Sequence, residues 1–106
     1  FLKSLFRPSV QPYLISWFKY DPSKEMAKLD IDCLIIQGNT DLQVSVEDAN
    51  LLLSSNKKAS IRIIDGMNHI LKNTSEKRKE NLSSYNDPSL PLNKELTEQI
   101  TIFINK

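Results

Sequence analysis

Two short apolar runs, each closed by a glycine and joined by one amphipathic helix, constrain this chain most. The first run is Cys33-Leu34-Ile35-Ile36-Gln37, followed by Gly38-Asn39-Thr40-Asp41. The second is Ile61-Arg62-Ile63-Ile64-Asp65, followed by Gly66-Met67-Asn68-His69. Cys33 to Ile36 lack alternation, which suits a strand buried on both faces. Gly38 and Gly66 are the only 2 glycines in the sequence, and each follows a run at the point where the chain must turn sharply. Strand, helix and strand in this order predict a βαβ unit with parallel strands. Strands are expected near Cys33–Gln37 and Ser60–Ile64, with a helix from about Val46 to Ser55. The fold class expected is therefore α/β.

The connecting helix carries its own start signal. Ser45-Val46-Glu47-Asp48 has the form of a capping box, with Ser45 as cap and Asp48 as the acidic third residue. Val46, Ala49, Leu52 and Leu53 share one face. Asn56-Lys57-Lys58 ends the helix with cations near its C-terminus.

Upstream, Phe1–Phe6 reads as a short helix broken by Pro8. Ser9 can cap a second helix, with Pro12 tolerated in its first turn. Val10, Tyr13, Leu14, Trp17 and Phe18 fall at helical spacing and form an apolar stripe. Core packing is the leading reading of that stripe, and a wall of an acyl- or aryl-binding pocket is the alternative. Asp21-Pro22 opens a third helix, running to about Lys28. Residues 1–29 thus form a helical segment, and residues 30–106 carry the strands and closing helices.

Downstream of His69 lies a long polar stretch, Lys72 to Leu92, with the charge cluster Glu76-Lys77-Arg78-Lys79-Glu80. It reads as a loop with few apolar anchors, and Lys72–Pro91 is expected to be the most mobile part. Pro91-Leu92-Asn93 opens a last helix with the stripe Leu96, Ile100, Phe103 and Ile104.

Composition narrows the function. The chain has 106 residues and a formal net charge of +1, with basic and acidic residues interleaved. No nucleic-acid or membrane partner is expected. No stretch is long and apolar enough to cross a membrane. One histidine and 1 cysteine make no zinc signature, and 2 glycines cannot cradle a phosphate, so neither metal nor cofactor is expected. Cys33 reads as a small buried apolar residue. The sequence says nothing about compartment.

The candidate site is Asp41 with His69. Each sits just past the C-terminal end of an expected strand, where open α/β sheets place their chemistry. Neighbouring parallel strands would bring both to one rim. An imidazole there can take a proton from a hydroxyl nucleophile, and a carboxylate fixes the tautomer and stabilises the imidazolium. The plainer reading makes Asp41 a turn residue and His69 a surface side chain.

Leu34-Ile35-Ile36-Gln37-Gly38-Asn39-Thr40-Asp41, then Val44 and Asp48-Ala49, then Gly66-Met67-Asn68-His69, resemble the C-terminal part of an α/β-hydrolase-fold serine hydrolase. The shared pattern is a strand, Gly-x-x-Asp, a helix, a strand, Gly-x-x-His and a closing helix. The resemblance covers roughly Asp30 to His69, and the last helix by position. It implies that Asp41 is the triad acid and His69 the general base. It implies an ester or similar acyl substrate, cleaved through an acyl-serine, and that Met67 and Asn68 shape the histidine loop. Residues before Tyr20 would correspond to the end of a cap or lid. Asp48 reads as structural, through Ser45.

The departures are equally plain. No Gly-x-Ser-x-Gly is present. Ser45, Ser54, Ser83 and Ser84 lack the strand–turn–helix setting, and no oxyanion-hole loop is visible. Asp32 stands where the family often has proline. With Phe1 falling inside an apparent helix, the expectation is a piece of a longer hydrolase, inactive alone and prone to self-association through open strand edges and apolar patches. The alternative is a non-catalytic α/β protein-interaction module.

Overall fold

The computed structural model describes residues 2–106. The chain is a mixed α/β protein with a two-stranded parallel sheet and helices. Helix α1 is Leu2–Leu5, α2 is Gln11–Phe18 and α3 is Pro22–Ala27. Strand β1 is Cys33–Gly38, helix α4 is Val46–Ser54 and strand β2 is Ala59–Ile64. Helix α5 is Arg78–Ser83 and α6 is Lys94–Ile104, with single 3-10 turns at Pro8–Val10 and Ser84–Asn86. Phe1, which the sequence places in the first helix, lies outside the described residues.

The strands pair in parallel with Cys33 opposite Ala59 and Gly38 opposite Ile64. Both therefore end at the same rim. The capping box on α4 is complete: Asp48 N–H donates to Ser45 Oγ at 3.2 Å, and Ser45 N–H donates to the Asp48 carboxylate at 3.3 Å. Reciprocal caps of this kind satisfy backbone donors that the first helical turn leaves free. Ala49 is the buried residue of α4, and Val46, Leu52 and Leu53 are half-buried on the expected face. Asp21 caps α3 through Ser23 N–H. Asn93 caps α6 through Leu96 N–H at 3.1 Å.

The core is small. Ile64, Met67 and Leu96 are buried together, with Ile36 packed against them. Asn56 makes a second, polar anchor at the opposite end of the sheet. Its amide donates to Met26 O at 2.7 Å and Leu29 O at 2.9 Å, and Lys58 N–H donates to its side-chain oxygen at 2.8 Å. This fixes the exit of α3 against the exit of α4.

Three expectations are corrected. Ser9 does not cap α2: the residue at that position is Val10, without a side-chain cap, and the Ser9 hydroxyl accepts from Arg7 Nε instead. Ser9 lies inside the 3-10 turn Pro8–Val10, so α2 begins one residue later than a Ser9 cap requires. The aromatic stripe of α2 is not core within this chain, since Trp17 is 58% and Phe18 85% exposed. Val10 and Leu14 are half-buried and share a hollow with Ser4 and Leu5 of the preceding helix, while Tyr13 and Trp17 pack edge to face on each other. The stripe of α6 is likewise only partly covered, with Ile100 and Ile104 exposed.

The third correction concerns the polar stretch after His69, which reads as a loop in the sequence but carries helix α5 and the 3-10 turn Ser84–Asn86. Its contacts to the rest of the chain run through polar groups. Asn81 on α5 and Ser84 just after it are buried, and Lys72 Nζ donates to Asp87 O at 2.7 Å. Single antiparallel bridges join Met67 to Asn73 and Lys72 to Leu92.

Candidate functional site

The rim begins with Gly38. A Cβ built there would lie 1.9 Å from Met67 O and 2.5 Å from Met67 C. Only a residue without a side chain lets the end of β1 pass this close to the loop after β2. The close approach is then stapled by Asn39. Its amide donates to the Asp65 carboxylate at 2.7 Å, and Gly66 N–H donates to its side-chain oxygen at 2.8 Å. Thr40 N–H donates to Met67 O at 3.2 Å. Two loops far apart in sequence are held as one unit before either functional side chain is considered.

Asp41 sits on the first loop. Its Oδ1 accepts from Gln43 N–H at 2.8 Å and Val44 N–H at 3.0 Å, closing a turn on its own backbone. That is the plain turn role expected of an aspartate here. Oδ2 points the other way, accepting from the Gln37 amide at 3.2 Å and lying 3.0 Å from His69 Nδ1. The side chain is only 8% exposed. Burial acts most strongly and raises the carboxyl pKa. Bonds from Val44 and Gln43 N–H, His69 and Gln37 together outweigh it and hold the group below the usual aspartate range. Asp41 is therefore a carboxylate near neutral pH.

An ionised carboxylate can only accept. The proton between Asp41 and His69 must then sit on Nδ1, which leaves Nε2 of the neutral ring with a free lone pair. Among the described residues nothing hydrogen-bonds Nε2, and the His69 side chain is 39% exposed. The imidazole is held from behind and open in front.

The loop presenting His69 is unusually tight. Leu71 N–H donates to Asn68 O at 3.0 Å, and Asn68 N–H donates to Lys72 O at 2.9 Å. Lys72 N–H donates to Asn68 Oδ1 at 3.1 Å. Leu71 takes φ +68°, the only positive φ at a non-glycine among the described residues. Leucine in this region costs on the order of 1–2 kcal/mol. Asn93 N–H donates to Leu71 O at 2.9 Å and helps hold the conformation. A hollow of about 210 Å³ opens beside the pair, lined by Ile36, Gln37, Val44, Met67 and Leu71 among others.

The structure thus brings Asp41 and His69 into direct contact. Sequence reasoning missed the roles of Gln37, Asn39 and Asn81, whereas Asn68, expected to shape the histidine loop, bonds Lys72 across it. Gln37 did carry a signal: it is the one polar residue in the run Cys33–Gly38, and its amide also donates to Gly38 O and Val44 O at 3.0 Å each. Asp48 is confirmed in the α4 cap and makes no bond to the pair. Among the described residues no group of His, Cys, Asp and Glu is arranged to hold a metal ion.

Fold and site together define a mixed α/β chain with a carboxylate–imidazole pair at the C-terminal rim of a parallel sheet. No family model matches the chain, and no match is found among curated proteins or solved structures.

Proposed function

We propose that this chain is the C-terminal part of an α/β-hydrolase-fold serine hydrolase, supplying the acid and base of its triad. One observation carries the reading: Asp41 Oδ2 lies 3.0 Å from His69 Nδ1, past the ends of adjacent parallel strands. The order Asp then His agrees with that family's Ser…Asp…His order. The two-stranded sheet, with one neighbour per strand among the described residues, has edges on which further strands of a larger sheet could pair.

In this reading the serine hydroxyl lies elsewhere in the full-length protein. It attacks the ester carbonyl while Nε2 of His69 takes its proton. Asp41 stabilises the resulting imidazolium without itself taking the proton. The tetrahedral intermediate collapses to an acyl-serine as the imidazolium protonates the departing alkoxide. Water, deprotonated by His69, then attacks the acyl group; the acyl–serine bond breaks, the imidazolium returns the proton to the serine oxygen and the acid leaves. Backbone donors of the oxyanion hole would also come from outside this chain.

The exposed aromatic face of α2 favours a second reading, a non-catalytic α/β module that binds another protein through Tyr13, Trp17 and Phe18.

Hydrolysis of p-nitrophenyl acetate separates these. The full-length protein is expected to turn over the ester, and this chain alone to do no better than free imidazole. A chain that clearly outperforms imidazole by itself would contradict the division of the triad. A full-length protein with no hydrolytic activity would favour the binding module.

A further inference from the structure

We infer that Asn81, on the short helix α5, is a positioning residue for the Asp41–His69 pair. Its side chain is fully buried, at 0% exposure. The amide donates to Thr40 O at 2.6 Å and to Ser75 O at 3.1 Å. Its side-chain oxygen accepts from the Asn68 amide at 3.4 Å. Thr40 immediately precedes Asp41, and Asn68 immediately precedes His69. One side chain from a third element therefore reaches the residue before each member of the pair.

Ser84 completes the clamp. Its hydroxyl donates to Asn81 O at 2.6 Å and accepts from the Asn68 amide at 2.8 Å. Asn68, 1% exposed, spends its remaining oxygen on Lys72 N–H and so fixes the return of the His69 loop. The chemistry demands an amide at position 81. Thr40 O needs a donor, and Asn68 Nδ2 approaches an acceptor. A carboxylate would turn an oxygen toward Thr40 O, and leucine would leave both groups buried without that partner. The bonds between the rim loops set their spacing, while Asn81 and Ser84 tie both loops to the same short helical segment.

This inference rests on the hydrolase reading for its catalytic consequence, and its geometric part can be measured independently. The test compares Asn81→Leu with Asn56→Leu in the full-length protein. Asn56 is an equally well-bonded buried asparagine at the far end of the sheet. The readouts are the downfield proton NMR signal of His69 Nδ1–H, assigned by its loss in His69→Ala, and the kinetics of ester hydrolysis. Asn81→Leu is expected to shift or broaden the signal and to lower kcat about 10-fold or more. KM should stay within about 2-fold, because binding is not the function removed. Asn56→Leu should leave signal and kcat near wild type, although it too loses stability.

If Asn81→Leu does not fold, Ser84→Ala carries the same comparison, with the same signal affected. A folded variant with the wild-type His69 signal would overturn the inference. So would an equal loss in Asn56→Leu, which would reduce the effect to general destabilisation. If the wild-type protein hydrolyses no ester, the hydrolase reading fails. The His69 signal still decides whether Asn81 holds the pair.

Discussion

Under the proposed hydrolase function, Asp41→Asn and His69→Ala are each expected to lower ester hydrolysis by the full-length protein by about 10³-fold or more, because triad members act as a unit. The two losses have different causes. In that reading, removing His69 removes the base, so the serine keeps its proton. In Asp41→Asn the two backbone donors, Gln43 and Val44 N–H, select where the remaining carbonyl oxygen must sit. The new amide then faces Nδ1 of His69 and the Gln37 amide, where an acceptor stood. An amide donor there favours the ring tautomer with its proton on Nε2. That nitrogen can no longer accept from a hydroxyl. The variant should therefore keep its fold and lose activity, and the steady-state kcat/KM on a p-nitrophenyl ester reads the result. Activity that survives His69→Ala would contradict the assignment.

Gly38→Ala should be the most damaging single methyl addition in the chain. The clash is with backbone, Met67 O at 1.9 Å, which no rotamer change can relieve. Loops that separate to admit the methyl lose the Thr40–Met67 bond and loosen the Asn39 staple. Overpacking of this kind commonly costs about 1–3 kcal/mol, and lost buried hydrogen bonds add to it. A total of roughly 3 kcal/mol or more is expected from urea unfolding. Gly66→Ala provides the contrast. It takes φ +75°, but its Cβ would find its nearest neighbour at 4.0 Å. Its cost should be conformational only, about 1–2 kcal/mol. Equal losses at both positions would show that close approach at Gly38 is not what sets the rim.

Much of this was legible in the residues, and the boundary between legible and hidden has a physical basis. β1, α4 and β2 follow from apolar runs and from the Ser45–Asp48 box, which are signals within a few residues of each other. Asp41 and His69 stood out because each follows a glycine at the end of a run. What stayed hidden depends on distant partners. The polar stretch after His69 lacks apolar anchors, and its order comes from Asn81 and Ser84 meeting Thr40 and Asn68. An asparagine in sequence shows no sign of whether its amide will be buried. Ser9 reads as a cap because its type is right, but it falls inside the 3-10 turn that precedes α2. The aromatic stripe of α2 reads as core because periodicity shows that a face is apolar, not that anything covers it.

The proposal that Asp41 and His69 serve a serine lying elsewhere in the full-length protein is decided by labelling with a serine-directed fluorophosphonate, followed by mass spectrometry of the adduct. One phosphonylated serine is expected, in a Gly-x-Ser-x-Gly segment outside these 106 residues, with labelling strongly slowed in His69→Ala. An adduct on a serine of this chain, such as Ser45 or Ser84, or no adduct on the active protein, would contradict it.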